Sequence, residues 1–244
     1  MKSSGKYCIT THGITLLILG TILLQQVIPT GATAQRVRQI GALTYVERES
    51  FSCLYDNNAK CPLAVWYTLC LADFAGNAKV GTNRFKVDSK LPTPRANDDD
   101  FRYSGYVRGH MCAAADRDSD KKRLKETYLT SNLVPMQMSV NAGTWKMAED
   151  SIRRMAVRGC RLRVLSGSVF TESDTTTIGR HRVRVPGSFI KVAVCELHPD
   201  EVLTFSVPNS NTRSDVFFVA PISDILDELK DDRLKQIIQL WMRR

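Results

Sequence analysis

Strand-like segments that do not alternate regularly with helices are the feature that most restricts the fold of this chain. Runs of β-branched and aromatic residues, or of alternating apolar residues, predict strands. These segments are Ala64–Cys70, Arg161–Leu165, Arg182–Val185, Phe189–Cys195, Val202–Val207 and Phe217–Ala220. A doubly wound parallel sheet needs a helix between successive strands, and that order is missing here. We therefore expect an α+β fold.

Helical periodicity appears in two regions. Between Asn141 and Gly159, apolar residues recur every three or four positions, which predicts an amphipathic helix that ends at Gly159. A second helical region is expected from Ser223 onward, and Asp231-Asp232 is expected to divide it in two. The polar segments 35–60 and 91–100 are expected to be irregular.

The amino terminus has the order of an export signal. Lys2 and Lys6 precede an apolar stretch at 14–28, and the small residues Ala32-Thr33-Ala34 follow it. We expect residues 1–34 to be a signal peptide cleaved before Gln35, and residues 35–244 to form a single domain in the secreted or periplasmic space. The alternative is an uncleaved anchor, but the stretch is shorter than the roughly 20 apolar residues of a membrane span. No stable membrane association is expected after cleavage.

Charge and cysteine usage fit an exported protein with a polyanionic partner. The formal net charge is +9, and it stays at +7 without the leader, which contains Lys2 and Lys6 and no acidic residue. Such an excess favours nucleic acid or another anionic surface as partner. Six cysteines remain beyond Cys8, and export permits disulfides. One bridge is expected among Cys53, Cys61 and Cys70, whereas Cys160 and Cys195 fit buried thiols equally well.

The segment 106–111 combines groups suited to phosphodiester chemistry. Arg108 and His110 are two residues apart, so in a strand their side chains project to the same face. A neutral imidazole accepts a proton from water, and a guanidinium binds phosphate through two parallel hydrogen bonds. Gly109 between them is expected to let a substrate backbone come close.

A second group of polar residues follows downstream. Asn132 precedes a stripe on the predicted helix in which Asn141, Trp145, Glu149 and Arg153 recur every four residues. The amide oxygen of Asn141 suits a hard divalent cation such as magnesium, and the rest of the metal's shell is expected to be water. Glu149 lies about 12 Å further along the helix axis, so we expect it to hold metal-bound water. Arg153 is expected to meet a phosphate, and Trp145 to lie in the core.

The two clusters resemble the DNA/RNA non-specific endonuclease family of ββα-metal (His-Me finger) nucleases, which includes the Serratia-type secreted nucleases and the mitochondrial endonuclease G type. The resemblance covers roughly residues 61–229 and looks nearest to the bacterial exported branch. It implies a central, mostly antiparallel sheet flanked by helices.

The resemblance also implies a role for each matching residue. His110 falls on the general base, and Asn141 on the single protein ligand of a Mg²⁺ ion, for which Mn²⁺ is a substitute. Glu149 falls on the carboxylate that orients metal-bound water, and Asn132 on a supporting active-site residue. Arg108 and Arg153 fall on phosphate contacts. Val107 departs from the family's Asp-Arg-Gly-His pattern, and Ala113 stands where proline is common, so catalytic efficiency is in question more than mechanism.

The expected function is that of a secreted, magnesium-dependent, sequence-non-specific endonuclease acting on DNA, with RNA as a second substrate and homodimer formation left open. The alternative is an exported basic nucleic-acid-binding protein without catalysis, such as an inactive relative. An HNH-type enzyme is less favoured, because no second histidine lies nearby at metal-ligand spacing. His181 and His198 are expected in loops without a partner cluster, and Lys121-Lys122-Arg123 on a solvated face or along the substrate strand.

Overall fold

The computed structural model describes residues 37–82, 84–211, 218–219 and 221–243. The expected signal peptide at 1–34 lies outside the described residues, as does part of the strand expected at Phe217–Ala220. Within the described ranges, no helix combines the length and the apolar character that a membrane crossing requires.

A central eight-stranded antiparallel sheet organises the fold, as expected. The strands of the described residues are β1 (Val37–Ile40), β2 (Leu43–Glu47), β3 (Ser52–Asp56), β4 (Cys61–Leu69), β5 (Val107–His110), β6 (Leu133–Met136), β7 (Leu162–Val169), β8 (Thr177–Ile178), β9 (Val183–Arg184), β10 (Ser188–Cys195), β11 (Val202–Pro208) and β12 (Phe218–Val219). Their order in the sheet is β1-β2-β3-β4-β7-β10-β11-β12, and β5-β6 and β8-β9 form separate hairpins. The crossover from β4 to β7 contains the hairpin that positions the site.

Helices cover both faces of the sheet. They are α1 (Lys121–Glu126), α2 (Met138–Ala142), α3 (Thr144–Val157), α4 (Ile222–Glu228) and α5 (Asp232–Met242), with short 3-10 helices at Leu71–Asp73, Asp98–Phe101, Ala114–Arg117 and Thr130–Asn132. Successive strand residues face opposite layers. In β7, the Ser166 hydroxyl donates to the Met111 carbonyl beside the hairpin, whereas a side chain at Gly167 would meet Leu234 of α5. The hairpin and α5 therefore lie on opposite faces.

The β5-β6 hairpin and the helix after it form a ββα unit. Arg108 pairs with Pro135 and His110 with Leu133 in the antiparallel register. Gly109 faces inward, because a Cβ there would lie 2.7 Å from Met136 Cβ. The prediction that Gly109 gives room to a substrate is thus wrong; the glycine gives room to Met136.

Segment 35–60 is not irregular: it contains β1, β2 and β3. Buried polar residues concealed the strand pattern. Thr44 is buried, and its hydroxyl donates to Asn57 Oδ1 at 2.9 Å. Asp56 is also buried and accepts from the backbone N–H groups of residues 58 and 59. Hydrogen-bonded polar side chains of this kind can be buried at little cost in free energy, but they interrupt the apolar alternation that predicts a strand.

The helix expected from Asn141 to Gly159 is two helices, α2 and α3, divided at Gly143. A Cβ at Gly143 would overlap the Ser139 carbonyl oxygen, so the chain reverses tightly at that point. The apolar stripe on α3 is confirmed, since Trp145, Ala148, Ile152 and Met155 are all buried. The division near Asp231 is also confirmed: α4 ends at Glu228, and Asp231 caps α5 by accepting from two backbone N–H groups.

The disulfide joins Cys160 to Cys195, whereas Cys53, Cys61 and Cys70 are free thiols. The sheet register explains this correction. Cys195 pairs with Leu162 across β10 and β7, which brings it beside Cys160. Cys53 instead pairs with Val65 across β3 and β4, and Asp56 is the partner of Cys61. Cysteines that are close in sequence are therefore kept apart along the strands.

Candidate active site

His110 ends β5 and is held from three sides. Its ring lies edge-on to Tyr128, with 5.0 Å between ring centroids, and 6.0 Å from the ring of Phe85. Its backbone carbonyl accepts a hydrogen bond of 3.0 Å from Trp145 Nε1 of α3. The Nε2 atom is buried and has no hydrogen-bond partner among the described residues. The imidazole is thus fixed in place with one nitrogen uncommitted.

The surroundings of His110 keep its imidazole neutral. Burial lowers the pKa of His110 from 6.5 to about 4, and repulsion from Arg84 and Lys191 acts in the same direction. At neutral pH the ring is therefore uncharged, which is the form that accepts a proton.

Asn141 lies on α2, which packs against β5. Its side chain is half-buried, and the amide makes no hydrogen bond to any residue that the structure describes. The ββα unit thus places His110 and Asn141 on adjoining elements. Because Gly143 interrupts the helix, Asn141 does not share one helical stripe with Glu149 as the sequence predicted.

Glu149 of α3 is 13% exposed and lies above a fully buried lysine. Lys191 Nζ is 3.9 Å from Glu149 Oε1, donates to the Met111 carbonyl at 3.1 Å and lies 4.4 Å from the centre of the Trp145 ring. Burial raises the pKa of Glu149 to about 7, against the opposing effect of Lys191, and burial lowers the pKa of Lys191. The lysine thus supplies part of the positive charge that a buried carboxylate needs.

Arg108 is engaged with Asp98. Its Nε donates to the Asp98 carboxylate and its Nη2 to the Asp98 carbonyl oxygen at 2.7 Å. The guanidinium also lies over two aromatic rings, 5.0 Å from Phe85 and 5.4 Å from Phe101. Its charge is therefore paired, and its place beside His110 is fixed by the 3-10 helix Asp98–Phe101. Asp98 thus provides the carboxylate that pairs with Arg108.

Arg153 is more fully committed than the sequence predicted. Nη1 donates to Asp116 at 2.7 Å and Nη2 to Asp150 at 2.6 Å, and the side chain is 16% exposed. Asp116 also accepts from the Tyr67 hydroxyl at 2.7 Å. Two carboxylates already pair with this guanidinium, which holds α3 against the helix Ala114–Arg117, and the phosphate contact expected of Arg153 stays a prediction.

Asn132 is fully buried and does not reach the surface. Its amide nitrogen donates to the Cys112 and Thr127 carbonyls, and its side-chain oxygen accepts from Cys112 N–H. These bonds tie the chain after His110 to the segment that leads into β6. Asn132 supports the site and is not placed to contact a substrate.

Arg84 was not anticipated from the sequence. Its guanidinium lies 5.4 Å from the rings of both Phe85 and Tyr128, which in turn contact His110. The side chain is exposed and forms no ion pair with any described residue. A single arginine 26 residues before His110 gives no local signal. Lys191 did give one, since it is a lone charge within the apolar strand β10.

The remaining polar residues from the sequence lie elsewhere. His181 lies in a turn, as expected, and its Nδ1 is 2.9 Å from Asp100 Oδ2, a buried carboxylate. His198 is exposed outside any helix or strand, as expected. In the basic triplet on α1, Lys122 pairs with Glu49 and Arg123 with Asp73.

The donor set fits a hard divalent cation. The Asn141 amide oxygen is uncommitted, and oxygen ligands of this kind are preferred by magnesium. Glu149 lies in the same region, and the elevated pKa of this buried carboxylate indicates too little compensating charge around it. Among the described residues, the group with closest metal-ligand spacing is Cys160, Cys195 and Glu201, but its two thiols form the disulfide.

A hairpin with histidine on its first strand, followed by a helix with asparagine and packed on an antiparallel sheet, defines a ββα-metal fold. The fold matches a chain in the crystal structure of the EndoG/EndoGI complex, with a TM-score of 0.64, 24% identity, and coverage of 86% of this chain and 89% of that chain.

Sequence comparison agrees. The chain is 28% identical over 193 residues to human mitochondrial endonuclease G, covering 73% of this chain and 65% of the relative. It is 30% identical over 170 residues to mitochondrial nuclease EXOG of Danio rerio, covering 64% and 50%. It is 29% identical over 172 residues to a nuclease of Nostoc sp., covering 68% and 59%. The chain thus spans about half to two thirds of the length of these relatives.

The family model described as DNA/RNA non-specific endonuclease matches residues 30–234. The chain belongs to this family of metal-dependent nucleases, which confirms the resemblance noted from its two polar clusters.

Proposed function

We propose that this protein is a Mg²⁺-dependent endonuclease that hydrolyses phosphodiester bonds of DNA and RNA without sequence preference. The observation that carries the proposal is the environment of His110: a neutral imidazole, fixed by neighbouring rings, whose buried Nε2 has no partner among the described residues. This is the state that a general base needs before substrate binds.

His110 acts on the attacking water. Nε2 accepts a proton as the water oxygen forms its bond to phosphorus, and the bond from phosphorus to the 3′ oxygen breaks. The leaving oxygen takes a proton from solvent. The imidazolium is stabilised little by its surroundings, because Arg84 and Lys191 repel it, so His110 readily returns the proton to solvent.

Asn141 would hold the cation through its amide oxygen, with Glu149 as the nearby carboxylate. When bound, magnesium neutralises negative charge that develops on the phosphate and the leaving oxygen. Lys191 favours the charged form of Glu149 from below, and the lysine itself is held against the Met111 carbonyl and the Trp145 ring.

Arg84 is the arginine best placed for phosphate. Its guanidinium is exposed and unpaired among the described residues, whereas Arg108 and Arg153 have carboxylate partners. Arg108 contributes by packing over the Phe85 ring, which in turn contacts His110. Groups of this kind address phosphate and not base edges, which supports cleavage without sequence selectivity.

A secreted or periplasmic site of action is part of the proposal. It is supported by the export-signal pattern at 1–34 and by the disulfide at Cys160–Cys195, which forms in oxidising compartments. Amino-terminal sequencing of protein recovered outside the cytoplasm is expected to begin at Gln35. Recovery of the uncleaved chain in membranes would instead identify an anchor.

The deciding experiment is digestion of plasmid DNA and of RNA by the purified protein with Mg²⁺, with Mn²⁺ or with chelator. Wild type is expected to cut both substrates with either metal and neither with chelator. His110→Ala is expected to lower the rate at least ~10²-fold, the contribution of a general base. His198→Ala, which removes an exposed histidine, is the matched control and is expected to keep full activity. A protein that retards DNA without cutting it would be a binding protein.

A further inference from the structure

The turn that leads into β5 presents one aromatic side chain to solvent. Tyr103 is 101% exposed, and it is the only aromatic residue with an exposed side chain in the part of the chain that the structure describes. Its backbone is left-handed, with φ of 57°, a conformation that side chains other than glycine rarely adopt. Gly105 in the same turn is also left-handed, with φ of 84°. The turn thus has two left-handed positions that favour glycine, and tyrosine occupies one of them.

Folding does not account for this tyrosine. A fully exposed ring contributes no burial, and the left-handed backbone opposes a side chain at this position. A strained conformation that folding does not require indicates a role in binding.

The turn is held rigidly beside the site. The Ser104 hydroxyl donates to the Phe101 carbonyl at 2.9 Å and accepts from Tyr106 N–H at 3.1 Å. Phe101 is buried and lies under the Arg108 guanidinium, which is bonded to Asp98. The backbone that bears the Tyr103 ring is therefore fixed relative to Arg108.

The distance to the site suits a nucleic acid strand. Tyr103 is five positions before Arg108, and an extended chain of five residues spans at most about 18 Å. Successive phosphates of a strand are separated by about 3.4 Å along the axis. Tyr103 is therefore within about five nucleotides of a phosphate at the site, and Arg102, an exposed cation, lies next to it.

We propose that Tyr103 is a nucleobase-stacking residue that binds single-stranded or locally unpaired substrate. The proposal rests on the proposed nuclease function of the same site. Aromatic rings stack on any base, which suits an enzyme without sequence preference. Bases within a duplex have no free face, so the contact favours single strands over duplex.

The test measures oligonucleotide binding by fluorescence anisotropy, in chelator and in a His110→Ala background, so that no cleavage occurs. The probes are a labelled 12-nucleotide single strand and the matching duplex. Tyr103→Gly removes the ring and suits the left-handed backbone, and Tyr103→Trp keeps a stacking ring. Leu197→Ala, which removes a different exposed apolar side chain, is the control.

Tyr103→Gly is expected to raise the Kd for the single strand about 5-fold or more, the ~1 kcal/mol at the low end of one base stack. The Kd for the duplex is expected to change less than 2-fold. Tyr103→Trp and Leu197→Ala are expected to bind the single strand as the background protein does.

An unchanged single-strand Kd for Tyr103→Gly overturns the proposal, and so does equal weakening toward both probes. A background protein that does not bind the single strand overturns it as well. A shift from dimer to monomer with unchanged Kd would assign Tyr103 to self-association instead. Because binding is measured without cleavage, loss of digestion in the plasmid assay is a separate result that refutes the nuclease function alone.

Discussion

At the scale of single residues, the partner of each arginine decides what it does. The sequence favours Arg108 and Arg153 as phosphate contacts, because Arg108 lies near His110 and Arg153 lies on a helix stripe, but each has a carboxylate partner in the fold. Arg84 has none among the described residues and lies beside the aromatic rings around His110. Charge alone is visible in a sequence, whereas its neutralisation depends on contacts distant in the chain.

The first prediction concerns the protonation of His110. Burial and the cations Arg84 and Lys191 disfavour the imidazolium, so the ring is expected to stay neutral down to about pH 5 and to titrate near 4. Arg84→Ala removes one repulsion and is expected to raise the pKa of His110. Histidine NMR titration of the metal-free protein measures both. A His110 pKa at or above 6.5 in wild type would contradict the buried geometry.

Asp98 is expected to be a positioning residue for Arg108. Asp98→Ala removes the carboxylate that accepts from Arg108 Nε, and kcat/KM is expected to fall about 10-fold. The free energy of unfolding should change by less than about 1 kcal/mol, because the ion pair is partly exposed. Asp99→Ala, which removes an exposed neighbour paired only with Arg102, is the control and should leave both quantities unchanged. Equal kinetics for the two variants would show that Arg108 needs no partner.

At the scale of elements, the β5-β6 hairpin depends on a glycine. A Cβ at Gly109 would lie 2.7 Å from both Cβ and Cε of Met136. Gly109→Ala is expected to lower the free energy of unfolding by about 1–3 kcal/mol, the usual cost of overpacking. Gly81→Ala, where a Cβ meets nothing within 4 Å, should change it by less than about 0.5 kcal/mol. Urea denaturation compares them, and matching midpoints would mean that Met136 moves aside freely.

The elements differ in how well the sequence predicts them. The strands from β4 onward and the α3 stripe follow apolar patterns, because their buried faces are uniformly apolar. Strands β2 and β3 do not, because Thr44 and Asp56 are buried with hydrogen-bond partners supplied by the fold. The break at Gly143 was missed because the apolar and polar repeats continue across it. The ββα unit was identified from motif residues, whereas Arg84, Lys191 and Asp98 reach the site through tertiary contacts.

At the scale of the whole molecule, the disulfide joins the start of β7 to the end of β10 and closes a loop with a sequence separation of 35 residues. Chain-entropy arguments assign about 4 kcal/mol to a loop of that length. Replacing Cys160 and Cys195 by serine is expected to lower the unfolding free energy by up to that amount and to leave digestion of DNA intact in the folded protein. Reductant should destabilise wild type and leave the double variant unaffected. Equal unfolding free energies of the two proteins would show that the disulfide does not stabilise the fold.

The site also links distant parts of the chain. Met111, next to His110, accepts hydrogen bonds from Ser166 of β7 and Lys191 of β10 through one carbonyl. The aromatic and charged groups around the imidazole come from position 84 onward, and Glu149 pairs with Lys191. The catalytic geometry therefore depends on two central strands that come late in the sequence.

The position of Lys191 in the sequence sets when the site can form during synthesis. A nascent polypeptide that has left the ribosome only as far as α3 has its histidine and asparagine but lacks the lysine that supports Glu149. Such a chain lacks the partner of that carboxylate, so the proposed catalytic centre is complete only after β10 has joined the sheet.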